Sequence, residues 1–460
     1  MNQTASTFIA KSTIKAADLD HRYKVNFNIS RYNNTVPLGK QQFTDVNLAR
    51  ERAKNIKWRA LESLDQYLEA FESNFTARGG KVIWAETAEE ALNEILKICE
   101  SKQCKTVVKS KSMVTEEIHL NKFLEKNNIE SVETDLGEYI QQLDGEAPYH
   151  IVTPAMHKSK EDVAKLFYEK LGCAPGLSPE QLTLVAREKL RKKYVEAQVG
   201  ITGANFLIAD TGSIAITENE GNARLSCAFP KTHIAITGIE KIIPSFTDLA
   251  LFWPLLATYG TGQTVTVYNS IVSGPRQPGE TDGPDEMYVI LLDNGRTNIL
   301  EKEKLRESLY CIRCGACLNA CPVYKNIGGH AYSTTYSGPI GAVITPHMNN
   351  LKEWKHLSDA SSLCGNCTEV CAVKINLHEL LLENRSEAVE NGEAGWQEKI
   401  AWKAWKEASL HRKLMNGGNQ KIKNWIVNKL FKGWTKHRAA LHFPVKTFNE
   451  LWKEKNNFEK

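Results

Sequence analysis

Seven cysteines in two runs hold the residues of this chain best suited to metal and redox chemistry. Cys311, Cys314, Cys317 and Cys321 precede Pro322, and Cys364, Cys367 and Cys371 follow further along. The first run reproduces the bacterial ferredoxin pattern C-x2-C-x2-C-x3-C-P, in which soft thiolates hold the iron of a cubane cluster. In paired runs of this kind the fourth cysteine ligates the other cluster. That exchange assigns Cys311, Cys314, Cys317 and Cys371 to one 4Fe-4S cluster and Cys321, Cys364 and Cys367 to a second. Counting back from Cys371, the first position of the second run falls on Ser361. The fourth place of the second cluster is therefore open to Ser361, water, a partner residue or substrate, or its iron is absent, leaving a 3Fe-4S cluster.

Zinc and disulfides are the competing uses of so many cysteines. Zinc ribbons pair C-x2-C knuckles, whereas a three-spaced run with a fourth cysteine three residues on and a proline after it is not a ribbon pattern. Residues 1–11 lack a basic flank followed by an apolar core, so no secretory signal is apparent and a reducing cytoplasm is expected. The remaining cysteines, Cys99, Cys104, Cys173 and Cys227, read as buried thiols.

Positioning these residues takes more than one core. At 460 residues, with 42% hydrophobic and 24% charged residues, the chain is a globular protein of two or three domains rather than a disordered one. Its most apolar stretch, from Leu249 to Tyr259, contains Pro254 and is too short to span a bilayer. Before the cysteines, strands and helices alternate. Helical periodicity runs over 47–74, strands are expected at 81–85, 105–109 and 129–134, and helices at 87–100 and 114–127. Further strands are expected at 204–209, 212–217, 233–237, 264–270 and 287–293. Repeated βαβ units imply a parallel sheet with helices on its faces.

Ligands of such sheets bind at the carboxyl ends of strands, where three polar clusters fall. Lys109 and Lys111, with Ser110 and Ser112, could meet an anion. Glu133, Thr134, Asp135 and Glu138 read equally as acid-base carboxylates and as a capped helix start. Thr211, Gly212 and Ser213, with Asp210, Glu218, Asn219, Asn222 and Arg224, read as a pocket or as a structural turn. Arg224 or Lys109 would hold a substrate carboxylate. No G-x-G-x-x-G or Walker A loop supports nucleotide binding. His330 and His347 are minor candidates for an iron ligand.

From Lys399 onward the chain carries fifteen Lys or Arg against four Asp or Glu, and five of its ten tryptophans: Trp402, Trp405, Trp425, Trp434 and Trp452. A helical cap packing its tryptophans on the cysteine domain is the leading reading. Peripheral contact with a membrane on its inner face, or with an acidic partner, is the other. No nucleic-acid motif accompanies the charge.

The segments VKSKSMVTEEI, ETDLGEYIQQL, VGITGANFLIADTGSIAITENEGNARL and GPDEMYVILLDNGR lie upstream, and CIRCGACLNACPVYKNIGGHAYSTTYSGPIGAVITP and SSLCGNCTEVCAVKINLHELLLENR contain the cysteines. Together they resemble the lactate utilization protein B family, from about Asn47 to the tail. The resemblance implies the iron-sulfur subunit of a three-part system oxidising L-lactate to pyruvate. Its partners would be a cysteine-rich subunit and a second LUD-domain subunit, with an unidentified electron acceptor. It also implies that the α/β region is a LUD domain, similar in fold to sugar isomerases and CoA transferases, followed by an α-helical ferredoxin domain. Ala372 stands where proline commonly follows the last cysteine, which bears on the environment of a cluster more than on its ligation. The expected organisation is an N-terminal lead (1–46), a LUD-like α/β domain (47–300), a dicluster ferredoxin domain (301–385) and a basic helical tail (386–460). The alternative is an iron-sulfur subunit of another 2-hydroxy-acid oxidase or heterodisulfide-reductase-like complex, with the α/β domain as scaffold.

Overall fold

A computed structural model describes residues 2–393, 395–411, 413, 417–430, 439–440 and 442–458. The chain divides into two compact units, residues 1–388 and 389–460.

The first unit is built on ten strands: β1 (Lys81–Ala85), β2 (Thr106–Lys109), β3 (Glu130–Glu133), β4 (Val199–Thr202), β5 (Phe206–Ile208), β6 (Ser213–Glu218), β7 (Thr232–Gly238), β8 (Ile242–Ile243), β9 (Tyr268–Val272) and β10 (Glu286–Leu292). Six of them form a wholly parallel sheet in the order β1-β10-β7-β4-β2-β3. Parallel strands are covered on both faces, so they read as continuous apolar runs rather than alternating ones. β7, Thr-His-Ile-Ala-Ile-Thr-Gly, is buried at every position. Apolar side chains on one face gather around Ile95, Leu120 and Ile234, and those on the other around Phe71, Phe75 and Val289.

The remaining strands depart from the sequence expectation. β5 and β6 pair antiparallel as a hairpin in a second, mixed sheet of order β8-β5-β6-β9, and β9 begins at Tyr268 rather than at Thr264. The expected helix over 114–127 is two, Met113–Glu117 and Leu120–Lys126, because His119 takes the left-handed conformation (φ 54°). The expected helix over 47–74 breaks at Ser63 into Val46–Glu62 and Leu64–Thr76. Thr87 caps the helix Ala88–Ser101, accepting from the Glu90 N–H at 3.2 Å.

The lead is ordered as two helices, Gln3–Ala17 and Leu19–Gly39. They turn few residues inward, which is why the sequence hides them. Phe8 packs edge-on to Tyr332 at 5.7 Å, and the side-chain amide of Asn26 donates to the Lys325 carbonyl at 3.1 Å. The lead therefore straps onto the cysteine-bearing segment. That segment is a set of short helices, among them Ala316–Ala320, Pro322–Ile327 and Asn366–Glu369, sharing one apolar core with Phe252 and Tyr259 of helix Leu249–Thr261. Among the described residues no helix is long and apolar enough to cross a membrane.

The second unit contains helices Trp396–Leu410, Gln420–Leu430 and Phe448–Phe458. Trp402, Trp405, Trp425 and Trp452 are exposed on them, and Trp434 lies outside the described residues.

Candidate functional site

The two cysteine runs fold into the same loop twice. Arg313 (φ 60°) and Gly315 (φ 79°) flank Cys314, and Leu363 (φ 53°) and Gly365 (φ 79°) flank Cys364. This left-handed alternation curls each loop around its sulfurs, and it is glycine that tolerates the second position best. At the head of the first loop the Arg313 N–H donates to Cys311 Sγ at 3.4 Å. At the head of the second the Leu363 N–H donates to Ser361 Oγ at 3.1 Å. Ser361 therefore takes the backbone register of Cys311. The side-chain amide of Asn366 donates to the Ala320 carbonyl at 3.1 Å, tying the two runs together.

The thiols sort into two groups. Cys311, Cys314, Cys317 and Cys371 line one small cavity whose other walls are mainly apolar, including Ile151, Ile340 and Leu377. Burial first pushes Cys321 and Cys367 up, and both also lie close enough to Cys364 to feel its charge. Burial raises Cys314 and Cys371 to about 12 and Cys367 to about 11, so these thiols are neutral without a metal. Exposed Cys364 is lowered, chiefly by the Asn366 N–H. Metal binding would displace the thiol protons and repay the cost of burying them. All eleven cysteines are free of disulfides. Backbone N–H groups also point at sulfur from Ile375 to Cys371 (3.3 Å) and from Tyr324 to Cys321 (3.5 Å). Four convergent thiols, apolar walls and N–H donors to sulfur are a donor set that fits an iron-sulfur cluster.

A second cavity of about 260 Å³ lies at the carboxyl ends of β4 and β6. Its walls include Lys111, Asn205, Glu218, Asn222 and Lys241 from the α/β region and Arg313, Cys314 and Tyr336 from the cysteine region. Arg313 and Cys314 line both cavities. Burial first, then Arg313, pulls Lys241 down to about 8.

Buried charges join the two regions here. Arg296 grips Glu117 in a fork (Nη1–Oε1 3.0 Å, Nη2–Oε2 2.8 Å) and reaches Glu240 Oε2 through Nε at 2.6 Å. Tyr336 donates to Glu117 Oε2 at 2.6 Å, and its ring carries the Arg313 guanidinium at 4.5 Å. Lys57, 1% exposed, donates to the Ile242 carbonyl at 3.1 Å and to that of Glu240. None of these five charged residues was singled out by the motifs. Glu117 and Arg296 lie in the short helices Met113–Glu117 and Arg296–Leu300 that follow the carboxyl ends of β2 and β10, which was the one signal available.

The other expected residues divide. Lys111 lines the large cavity, with Nζ donating to the Val152 carbonyl at 2.9 Å. Lys109 does not line it and faces the protein interior instead. Its side chain is fully buried, with Nζ 2.8 Å from Glu133, 3.2 Å from Glu116 and 3.7 Å from Glu138. Burial alone would lower its ammonium, but Glu133, Glu138 and Glu116 outweigh that and hold it above its ordinary value. Glu133 and Glu138 are thereby committed to an internal ion network, while Asp135 caps the helix Leu136–Asp144 and lines the cavity. Arg224 is exposed, does not line the cavity, and meets Glu218 through its backbone N–H at 2.9 Å. Thr211 and Gly212 lie in the turn between β5 and β6, and Ser213 opens β6. A Cβ on Gly212 (φ 56°) would collide with the backbone of Phe75, Ser213 Oγ meets Ser273 Oγ at 2.8 Å, and the Thr211 carbonyl accepts from Arg78 at 2.8 Å. His330 meets the Ala147 carbonyl at 2.7 Å and His347 meets Asn384 at 2.8 Å, and neither lines the cysteine cavity. Cys99, Cys104 and Cys227 are buried, and Cys173 is half-buried.

The comparison with known proteins follows this division of labour. Residues 68–292 match the LUD domain and residues 307–375 a 4Fe-4S dicluster domain. Lactate utilization protein B of Bacillus velezensis is 49% identical over 373 residues, covering 81% of this chain and 78% of that one. The Bacillus subtilis protein of that name is 49% identical over 358 residues, covering 77% and 74%, and that of Shouchella clausii is 44% identical over 408 residues, covering 86% and 85%. The chain belongs to the lactate utilization protein B family, a LUD domain followed by a 4Fe-4S domain with a role in lactate utilization and electron transfer.

Proposed function

We propose that this chain is the electron-relay subunit of a system that oxidises L-lactate to pyruvate, working with a cysteine-rich subunit and a second LUD-domain subunit. The observation that carries the proposal is the shared wall: Arg313 and Cys314 line both the cysteine cavity and the larger cavity at the strand ends. A small acid bound in the larger cavity would be separated from the cysteine cavity by a side chain's thickness.

In this reading Cys311, Cys314, Cys317 and Cys371 hold one 4Fe-4S cluster, and Cys321, Cys364 and Cys367 hold the second with the Ser361 hydroxyl in the fourth place. Bound clusters would supply one-electron storage, and the reaction releases two electrons and two protons. The chain's own residues do the rest. Apolar walls around the first four cysteines exclude water. Arg296, Glu117, Glu240 and Tyr336 fix the cysteine segment against the end of the sheet. Cys364 is exposed, which supports an exit for electrons toward a partner from the second group.

The test is anaerobic addition of L-lactate to the complex assembled with its two partner subunits, read by electron paramagnetic resonance. Reduction of the clusters of this chain is expected. Clusters that stay oxidised with L-lactate, yet reduce with dithionite, would contradict the lactate reading.

A further inference from the structure

Two buried cations face the large cavity without a full set of partners. Lys241 ends the turn after β7, is 7% exposed and lines the cavity, and its ammonium has no hydrogen bond or ion pair among the described residues. Arg313 enters from the first cysteine loop, with its side chain 10% exposed. Its Nη2 stands 3.6 Å from Glu240 Oε1, while its Nη1 is buried with no partner.

The neighbouring charges are already engaged. Glu240 accepts from Arg296 Nε at 2.6 Å, and Glu218 accepts the N–H groups of Ala223 and Arg224 at 2.8 and 2.9 Å. Lys111 donates to the Val152 carbonyl. Burying a cation without a partner is costly, and a carboxylate accepting from both groups would offset that cost while offering the fork geometry guanidinium prefers.

We propose that Lys241 and Arg313 form the anion subsite of the large cavity, binding the carboxylate of a small 2-hydroxy or 2-oxo acid beside Cys314. The class of acid rests on the lactate reading above, whereas the anion subsite rests on the cavity and its two cations. One element supplies each cation, Lys241 from the sheet end and Arg313 from the cysteine loop. The subsite therefore exists only when the two regions are docked, and it would place the acid against the sulfur wall rather than at the rim.

The test uses the full chain, reconstituted anaerobically, with L-lactate, pyruvate, acetate and the neutral analogue lactamide as probes in calorimetry. Pyruvate or L-lactate is expected to bind, and lactamide at least tenfold more weakly. Lys241→Met is expected to weaken the acids at least tenfold with iron and sulfide per chain unchanged, and Lys241→Arg to restore much of the binding. Lys241→Gln provides a second neutral variant should the methionine protein fail to fold. Equal binding of lactamide and L-lactate, unchanged acid binding in the neutral variants, or a shift in cluster potential without loss of acid binding would overturn the subsite. Lys241-dependent binding of acetate alone would support the subsite and count against lactate as substrate.

Discussion

Ser361 is the residue whose type and place disagree. Its loop repeats the backbone of the Cys311 loop, down to the N–H that meets Ser361 Oγ at 3.1 Å as another meets Cys311 Sγ at 3.4 Å. Register counting found the position, but only the repeated left-handed pairs at Arg313 and Gly315, and at Leu363 and Gly365, give its hydroxyl the place of a sulfur. If that hydroxyl holds iron, Ser361→Ala yields a three-iron resonance signature on mild oxidation, and Ser361→Cys resists iron loss better than the parent. Spectra of Ser361→Ala identical to the parent, before and after oxidation, would contradict ligation by Ser361. Residue types alone served less well for the cations. Lys109 ends β2 and Arg224 stands in the helix Asn222–Ala228 that follows β6, both suggestive places, yet one is enclosed by Glu133, Glu116 and Glu138 and the other is exposed. Lys241 and Arg313, which face the cavity, belong to no short motif, because what brings them together is tertiary docking.

At the scale of elements, the parallel sheet was legible from unbroken apolar stretches in its central strands, residues 234–236 of β7 and 287–292 of β10. The hairpin of β5 and β6 was legible as strands and not as a separate sheet, since pairing partners leave no mark in a short run. β7 also carries a titrating group. His233 Nε2 lies 2.9 Å from Thr202 Oγ1 and 3.4 Å from Cys227 Sγ, and its Nδ1 is buried without a partner. Burial pulls its pKa from 6.5 to about 4, so between those values the unfolded chain binds the proton and the folded one does not. Its contribution to stability is complete above pH 6.5 and is lost as the pH falls toward 4, by about 1 kcal/mol per pH unit. His21 and His150, also pulled down by burial, act in the same direction. Anaerobic denaturant titrations from about pH 7.5 to 5.5 are expected to show a shallower decline for His233→Gln than for the parent. An equally steep decline in both would show that His233 is not among the groups responsible.

Across the first unit, the sheet and the cysteine segment share charges as well as an apolar core. Arg296, Glu117, Glu240, Arg313 and Tyr336 form one buried network, and the two cavities meet at Arg313 and Cys314. This joining is invisible to a domain-by-domain reading, which places a boundary near residue 300 and sets the lead (1–46) apart. The lead instead packs on the cysteine segment through Phe8 and Asn26. In the second unit the tryptophans of the described helices are exposed, with Trp402 and Trp405 edge to face at 5.8 Å. The number of clusters one chain holds is the property on which electron relay through it depends most directly. Anaerobic purification followed by iron and sulfide analysis is predicted to give about eight of each per chain, with resonance from two interacting centres. About four of each after full reconstitution, or zinc in place of iron, would contradict it.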